Sequence, residues 1–592
     1  MLIFVVRLFY LQVIDQSSKL SASNNVLRHV AKYPARGLVF DRNNKLLVYN
    51  EAAYDLMIIP NQLSTFDTAE LCEVLDLTKE QVIQRLQKAK HYSYYKPSIF
   101  EKQLSARTYA PLQEKLYKYK GFFTQTRTLR RYPQKIAANV LGYVSEVDDK
   151  ITEVDHYYKS GDYIGAKGIE KSYEKVLRGK KGVDIFMVDV HNRIKGRFKK
   201  GRYDSAAVHG GNITLTIDTD LQIYGERLMQ NKLGTIVALE PSTGEILSLV
   251  SSPSYNPELL VGRVRSENYT KLYKDTLKPL FDRPLMARYP PGSTFKTVNA
   301  LIGLQEGIIS TKTKFPCYFG YSSGRFFMGC HNHIERPNLI QSIQNSCNAY
   351  YANVFRYLLD HPKYGSFENA YEVWRNYVLS FGFGTRLGVD LPNEKQGYIP
   401  SISRYNRIYG EGHVKSLNIV SMAIGQGELL MTPIQMANLA AIICNKGYSY
   451  TPHIIKEVPD SFSDLKMPFL VKRYSEIDSS HFNPIIEGMY LAVNGIDGST
   501  ARIAAMKDIE ICGKTGTAQN PGKDHSIFIA FAPKDNPKIA LAVYVENGGF
   551  GSTWAAPIAS LLIEKHLTDT VKRKWIEERI LNGDLIHGTK IE

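Results

Sequence analysis

The chain has 592 residues, 44% of them apolar and 22% charged, with a formal net charge of +16. That length exceeds a single compact core, so two or more domains are expected. The positive charge is spread through residues 86–210 with no helix-turn-helix, zinc-finger or RNA-binding signature, which argues against nucleic acid and suits a surface near an anionic bilayer.

The first element is apolar. Residues 1–14 read Met1-Leu-Ile-Phe-Val-Val-Arg-Leu-Phe-Tyr-Leu-Gln-Val-Ile14, interrupted by Arg7 and Gln12. Spanning a bilayer takes about 20 apolar residues, so this run is short, and no small-residue cleavage site follows it. We read residues 1–30 as the C-terminal part of a single membrane anchor and its juxtamembrane helix, with an amphipathic or buried helix as the alternative. A β-rich segment opens at Tyr33–Arg42 and turns at Asn43-Asn44. Residues 68–120 alternate charge and leucine at helical spacing and predict short inserted helices. Glu170–Lys175 predicts a solvated helix face. Residues 212–217 alternate as a half-buried strand should. A boundary near 225 separates a first domain (31–225) from a second (226–570), with a peripheral helical tail at 571–592. Thr235–Pro241 and Ile246–Val250 predict a hairpin that starts the second domain's sheet. Residues 255–290 are polar and read as a substrate-facing loop.

Three motifs carry the chemistry: Ser293-Thr-Phe-Lys296, Ser346-Cys-Asn348 and Lys514-Thr-Gly516. Singly they mean little, since Ser172–Lys175 and Ser463–Lys466 also fit S-x-x-K. Context selects Ser293. Tyr289-Pro290-Pro291-Gly292 stops the incoming chain, the apolar run Val298–Leu304 follows, and Ser293 is expected to cap that helix. Ser293 and Lys296, three apart, share a helix face. The first motif supplies a hydroxyl with its base, the second a proton relay and an amide clamp, and the third a cationic strand for a substrate carboxylate.

These motifs resemble those of penicillin-binding proteins and serine β-lactamases. Arg36-Gly37, Asp41-Arg42, Arg127, Arg131-Tyr-Pro133 and Gly168-Ile-Glu170 resemble the non-catalytic pedestal of class B penicillin-binding proteins. Gly425-Gln-Gly427, Thr432-Pro433 and Gly551–Pro557 look most like the elongation subgroup of Gram-negative bacteria. The resemblance covers roughly residues 5–565. It implies an α+β multidomain protein with an N-terminal membrane-anchor helix, an elongated β-rich pedestal and a C-terminal transpeptidase domain built on an antiparallel sheet flanked by helices. The implied reaction is peptidoglycan D,D-transpeptidation of stem peptides during lateral wall synthesis, with a possible D,D-carboxypeptidase side activity and inhibition by β-lactams.

In that reading Ser293, Lys296, Ser346, Asn348 and Lys514 are catalytic, and Thr515, Gly516 and Thr517 bind substrate. The backbone N–H groups of Ser293 and Thr517 form the oxyanion hole. No cofactor serves the chemistry. The implied partner is a polytopic glycan polymerase of the shape-and-elongation family. The implied location is the bacterial inner membrane, single-pass, with the catalytic domain in the periplasm. Asn348 departs from relatives that carry Asp there. A septal transpeptidase, a β-lactam-sensing receptor and a β-lactamase are the alternatives.

Three of the six cysteines crowd near the second motif: Cys317, Cys330 of Cys330-His-Asn-His333, and Cys347. Cysteine and histidine at such spacing suit structural zinc. We expect Cys317, Cys330, His333 and Cys347 to brace the loop carrying Ser346, and some relatives in the subgroup are similar in placing zinc there. A Cys317–Cys330 disulfide or free thiols are the alternatives, and His331 is the alternative to His333 as ligand. Cys72, Cys444 and Cys512 read as isolated core residues.

Overall fold

A computed structural model describes residues 27–189 and 193–588. The expected anchor falls on residues 1–30 and lies almost wholly outside these. Among the described residues, no helix is long and apolar enough to cross a membrane.

The first domain is organised around the 13-residue strand Leu46–Ile58. It pairs antiparallel with Phe122–Arg131, from Tyr49 opposite Arg131 to Ile58 opposite Phe122. Ser98–Leu104 pairs on its other side. Helices Thr68–Leu75, Lys79–Tyr92 and Ala106–Lys115 are capped by Asp67, Thr78 and Ser105, whose side chains accept backbone N–H groups the helices leave free. They bury Leu71, Leu75, Val82 and Leu112 against Leu56, Ile58, Phe100 and Phe122. The predicted helices are therefore present, but a strand runs between them. Ser98–Leu104 lacks clean alternation, because its Phe100 and Glu101 are both buried.

One sheet crosses from this domain into the next. Ile213–Leu215 pairs parallel with Val39–Phe40 and antiparallel with Ile455–Glu457. Beside it lies a cluster of buried charges. Glu170 is 0% exposed and accepts from Arg36 Nε (3.0 Å), Arg36 Nη2 (2.6 Å) and Arg130 Nε (2.6 Å). Arg36 also reaches Glu174 at 2.6 Å. The solvated face predicted for Glu170–Lys175 is thus only half right: Ser172 and Lys175 are exposed, while Glu170 and Glu174 turn inward to the two arginines.

The second domain contains a five-stranded antiparallel sheet. Its strands are β1 (Gly234–Leu239), β2 (Ile246–Ser252), β3 (Cys512–Ala518), β4 (His525–Ala532) and β5 (Ile539–Val545), in the order β2-β1-β5-β4-β3. Strand β5 is buried at every position, as it must be with both faces covered. Alternate residues serve two cores: Ile236 and Ala238 face one, Val237 and Leu239 the other. The helices used below are α1 (Thr219–Leu228), α2 (Lys296–Gln305), α3 (Asn348–Leu359), α4 (Pro433–Cys444), α5 (Ala555–Thr568) and α6 (Lys574–Leu581). Helices α1, α5 and α6 cover the first face, and α2, α3 and α4 the second. In α6, Ile576 and Ile580 are buried with Leu561 and Leu562. Buried Lys232 donates to the carbonyls of Gln230 and Gly583, at 2.9 and 3.0 Å, tying down the chain after α6.

Residues 255–290 do not form a substrate-facing loop. They hold a 3-10 turn at Pro257–Leu260 and a helix at Arg265–Lys274, and pack on the first domain. Glu258 pairs with Arg131 at 2.7 Å and Arg263 with Glu101 at 3.4 Å. Their polarity is divided between an interdomain seam, where Glu258 and Arg263 lie, and the solvent-facing side of the helix, where Glu267 and Lys271 are exposed.

Candidate active site

The site forms where the start of α2 meets the free edge of β3. Gly292 has φ +57°, and a Cβ there would lie 2.6 Å from the Thr517 carbonyl oxygen, so glycine is what lets the turn touch the strand. The turn Gly292–Phe295 is 3-10 and runs into α2. Ser293 was expected to cap this helix. Pro291 already has helical φ and ψ, so the helical path begins ahead of Ser293, and no side-chain cap bond forms. The serine hydroxyl is therefore not spent on capping.

Lys296 is fully buried. Its Nζ donates to the Ser346 carbonyl at 2.6 Å, to Asn348 Oδ1 at 2.6 Å and to Ser346 Oγ at 3.2 Å. Burial pushes the amine down to about 8, against an opposing pull from Cys330, Cys347 and Cys317. Ser346 has φ +53°, a left-handed conformation that costs a non-glycine residue about 1–3 kcal/mol. That conformation lets its carbonyl and its hydroxyl both reach one amine. Asn348 Nδ2 donates to the Gly329 carbonyl at 2.7 Å, which leaves its second N–H for another acceptor. Lys514 is also buried and donates to the Thr515 carbonyl at 3.1 Å. Burial, and then the charge of Lys296, push it well below the usual lysine range.

Above these lysines opens a cleft of about 340 Å³, whose lining includes Ser293, Ser346, Asn348, Thr515, Thr517 and Gln426. Lys296 and Lys514 lie beneath this lining. Gly516 is a packing residue: a Cβ there would meet Thr294, Ile527 and Pro291 at 3.0–3.1 Å. None of the three chemical motifs contains His331 or Gln426, both of which line the cleft. For Gln426 a signal was present, since the glycines flanking it mark a backbone needing special φ.

The four cysteine and histidine donors come together. The ligand atoms of Cys317, Cys330, His333 and Cys347 all lie within 4.8 Å of one another. His333 Nδ1 lies 2.7 Å from the Ile334 carbonyl, so an Nδ1–H bond there leaves Nε2 as the free lone pair, 3.2 Å from Cys330 Sγ. Three sulfurs and one imidazole match the soft donor set of tetrahedral zinc, whose Zn–S bonds of about 2.3 Å put sulfurs roughly 3.7 Å apart. All six cysteines are free, so no Cys317–Cys330 bridge is formed. The cluster grips the second motif directly: Asn348 N–H donates to Cys330 Sγ at 3.3 Å, and Cys347 Sγ accepts from Tyr350 N–H at 3.3 Å.

Comparisons with known proteins identify the family of this chain. A family model described as penicillin binding protein transpeptidase domain matches residues 234–564, and one described as penicillin-binding protein dimerisation domain matches residues 31–215. The chain is 31% identical to a peptidoglycan D,D-transpeptidase MrdA of Acinetobacter baumannii, covering 94% of this chain and 84% of that one. A solved complex between penicillin-binding protein 2 and MreC of Helicobacter pylori superposes with a TM-score of 0.74 at 26% identity, covering 91% of this chain and 99% of that one. Penicillin-binding protein 2 of Pseudomonas aeruginosa in complex with WCK 5153 gives 0.67 at 26% identity, covering 93% and 99%.

Proposed function

The chain belongs to the penicillin-binding protein transpeptidase family, and from that premise we propose that it cross-links peptidoglycan stem peptides through an ester on Ser293. The observation that carries this reading is Lys296, buried beneath the cleft with its amine lowered to about 8 and held on Ser346 and Asn348. A serine hydroxyl needs a base, and a lysine serves as one only when neutral.

In this mechanism neutral Lys296 takes the Ser293 proton as Oγ attacks the carbonyl of the penultimate D-alanine. The developing oxyanion is held by the backbone N–H groups of Ser293 and Thr517. The first N–H groups of a helix lack intrahelical acceptors, and one oxyanion donor is worth about 2.7–4 kcal/mol. Ser346 passes the proton from Lys296 to the departing amine, and terminal D-alanine leaves. Asn348 holds Lys296 with Oδ1 and offers its spare N–H to the substrate amide. Thr515 and Thr517 bind the terminal carboxylate. Lys514, buried beneath them with its amine pushed well below the usual lysine range, is drawn toward its charged form when that carboxylate arrives, since a nearby anion raises an amine's pKa. The amine of a second stem peptide then attacks the ester, and the protons move back along the same path.

The ester must outlive contact with water. Among the described residues no glutamate lines the cleft, and Asp524 is its one carboxylate. A fluorescent penicillin should therefore label the protein for hours, and Ser293→Ala should abolish the label. Turnover of label within seconds would mark a β-lactamase instead. The elongation role follows from likeness to MrdA and to the penicillin-binding protein 2 that was solved with MreC. The proposed partners are an MreC-like protein and a polytopic glycan polymerase, met at an inner membrane reached through residues 1–30. Depletion should round the cells; filaments would assign the septal role.

Cys317, Cys330, His333 and Cys347 would hold one structural zinc, which neutralises thiolate charge and braces the Ser346 loop without entering the chemistry. Metal analysis should find about one zinc per chain. Cys330→Ser should lose it and lower the melting temperature, whereas a zinc-free, equally stable wild type would remove the proposal.

A further inference from the structure

Gly425-Gln-Gly427 has no part in the chemistry above, yet it is built into the site. Among the described residues, strand β3 is the last of its sheet and pairs only with β4, where Thr517 lies opposite Ser526. Its other edge faces the cleft. On that edge the Thr517 carbonyl accepts from Gln426 Nε2 at 2.8 Å. The N–H and C=O of one strand residue point to the same edge, so the Thr517 N–H also faces the cleft. The positions agree: a Cβ on Gly292 would lie 3.1 Å from Thr517 N.

Gln426 is itself anchored to the turn bearing the nucleophile. Gly292 N–H donates to the Gly425 carbonyl at 2.9 Å, and a Cβ on Gly425 would lie 2.1 Å from the Gly292 oxygen. Gly425 and Gly427 have φ of +71° and +76°, conformations that favour glycine. Gln426 is 8% exposed. Its side chain therefore spans from the backbone beside Ser293 to the backbone of Thr517, joining the two carriers of oxyanion donors.

We propose that Gln426 is a positioning residue that sets the roll of β3 at Thr517, and so aims the Thr517 N–H at the oxyanion without touching the reacting atoms. The proposal rests on the transpeptidase reading and on its oxyanion hole. An edge strand has no neighbour to fix its twist on the open side, and Gln426 supplies that neighbour at one point. Only a donor can do this. A glutamate of the same shape would put its charge against a carbonyl, beside a site that must stabilise negative charge.

The test uses the full chain and a β-lactam whose reacting carbonyl carries ¹³C. Gln426→Glu and Gln426→Met keep the length of the side chain, and each is first shown by its melting curve to be folded. Stopped-flow acylation separates the binding constant from the acylation rate constant. Infrared difference spectra read the ester carbonyl stretch, which falls as hydrogen bonds to that oxygen strengthen. The expected result is binding within twofold of wild type, acylation slowed by about 10–100-fold, and a carbonyl band moved to higher frequency in both variants. An unchanged rate and band in either folded variant would overturn the proposal. So would weakened binding with an unchanged rate, which would make Gln426 a substrate contact. Absence of any Ser293 ester in the wild type would instead overturn the transpeptidase reading.

Discussion

Lys296→Ala is expected to slow esterification of Ser293 by about 10²–10⁴-fold, the range that a positioned general base supplies. The wild-type rate should rise with pH through about 8 and then level off. The direction follows from the buried amine: only its neutral form accepts the serine proton, and burial brings its pKa down to about 8. At pH 7 roughly a tenth of the molecules hold a neutral Lys296. An unperturbed lysine would hold roughly one in 2,500. The substitution leaves Ser346 Oγ, the Ser346 carbonyl and Asn348 Oδ1 without their shared donor, so a stability loss of about 1–3 kcal/mol accompanies it. Rates are therefore compared well below the melting temperature. Lys296→Arg should be equally inactive, because a guanidinium does not deprotonate in this range. A flat wild-type profile between pH 6 and 9 would exclude Lys296 as the base.

The second large effect lies far from the chemistry. Glu170→Ala should destabilise the first domain by about 3–5 kcal/mol, the usual result of removing one partner from a buried ion pair. Its carboxylate is shared by Arg36 and Arg130, and Arg130 is further fixed by the Gly37 carbonyl at 2.8 Å and Asn50 Oδ1 at 3.0 Å. Without Glu170, Arg130 keeps its charge in a buried position and loses its carboxylate. Burial alone would raise the glutamate's pKa, but Arg130 and Arg36 outweigh it and hold it below the ordinary range. A depressed folded-state pKa means the stabilisation is complete above the unfolded value and fades as pH falls through the folded one. The wild-type advantage over Glu170→Ala in urea denaturation should thus shrink under acid, below the usual glutamate range. Equal urea midpoints at pH 7 would show that the cluster contributes nothing net.

The catalytic half was easier to read in the sequence than the first domain, for a physical reason. Reactive groups must be particular side chains at particular helical or strand offsets, so Ser293, Lys296, Ser346, Asn348 and Lys514 stand out in one dimension. The four zinc-type donors were legible for the same reason. Tertiary pairing leaves no such trace. Glu170 looks like any surface glutamate until Arg36, 134 positions earlier, is folded onto it. Residues 255–290 look like a loop because polarity at an interdomain seam and polarity toward water are the same letters. Ser293 looked like a cap because Pro and Gly precede it, although the proline had already entered the helical path. The burial of Lys514 could not be seen either, since a strand lysine reads as exposed until the helices above it are placed.

The isoleucines of α6 bear on where the gene can be cut. A fragment ending after α5 would strip Ile576 and Ile580 from the outer face of the sheet, and each such side chain contributes about 1.5–3 kcal/mol when buried. It would also leave Lys232 without the carbonyl of Gly583. Anyone trimming this protein for crystallisation should therefore keep the sequence at least through Leu585, and attach purification tags beyond it.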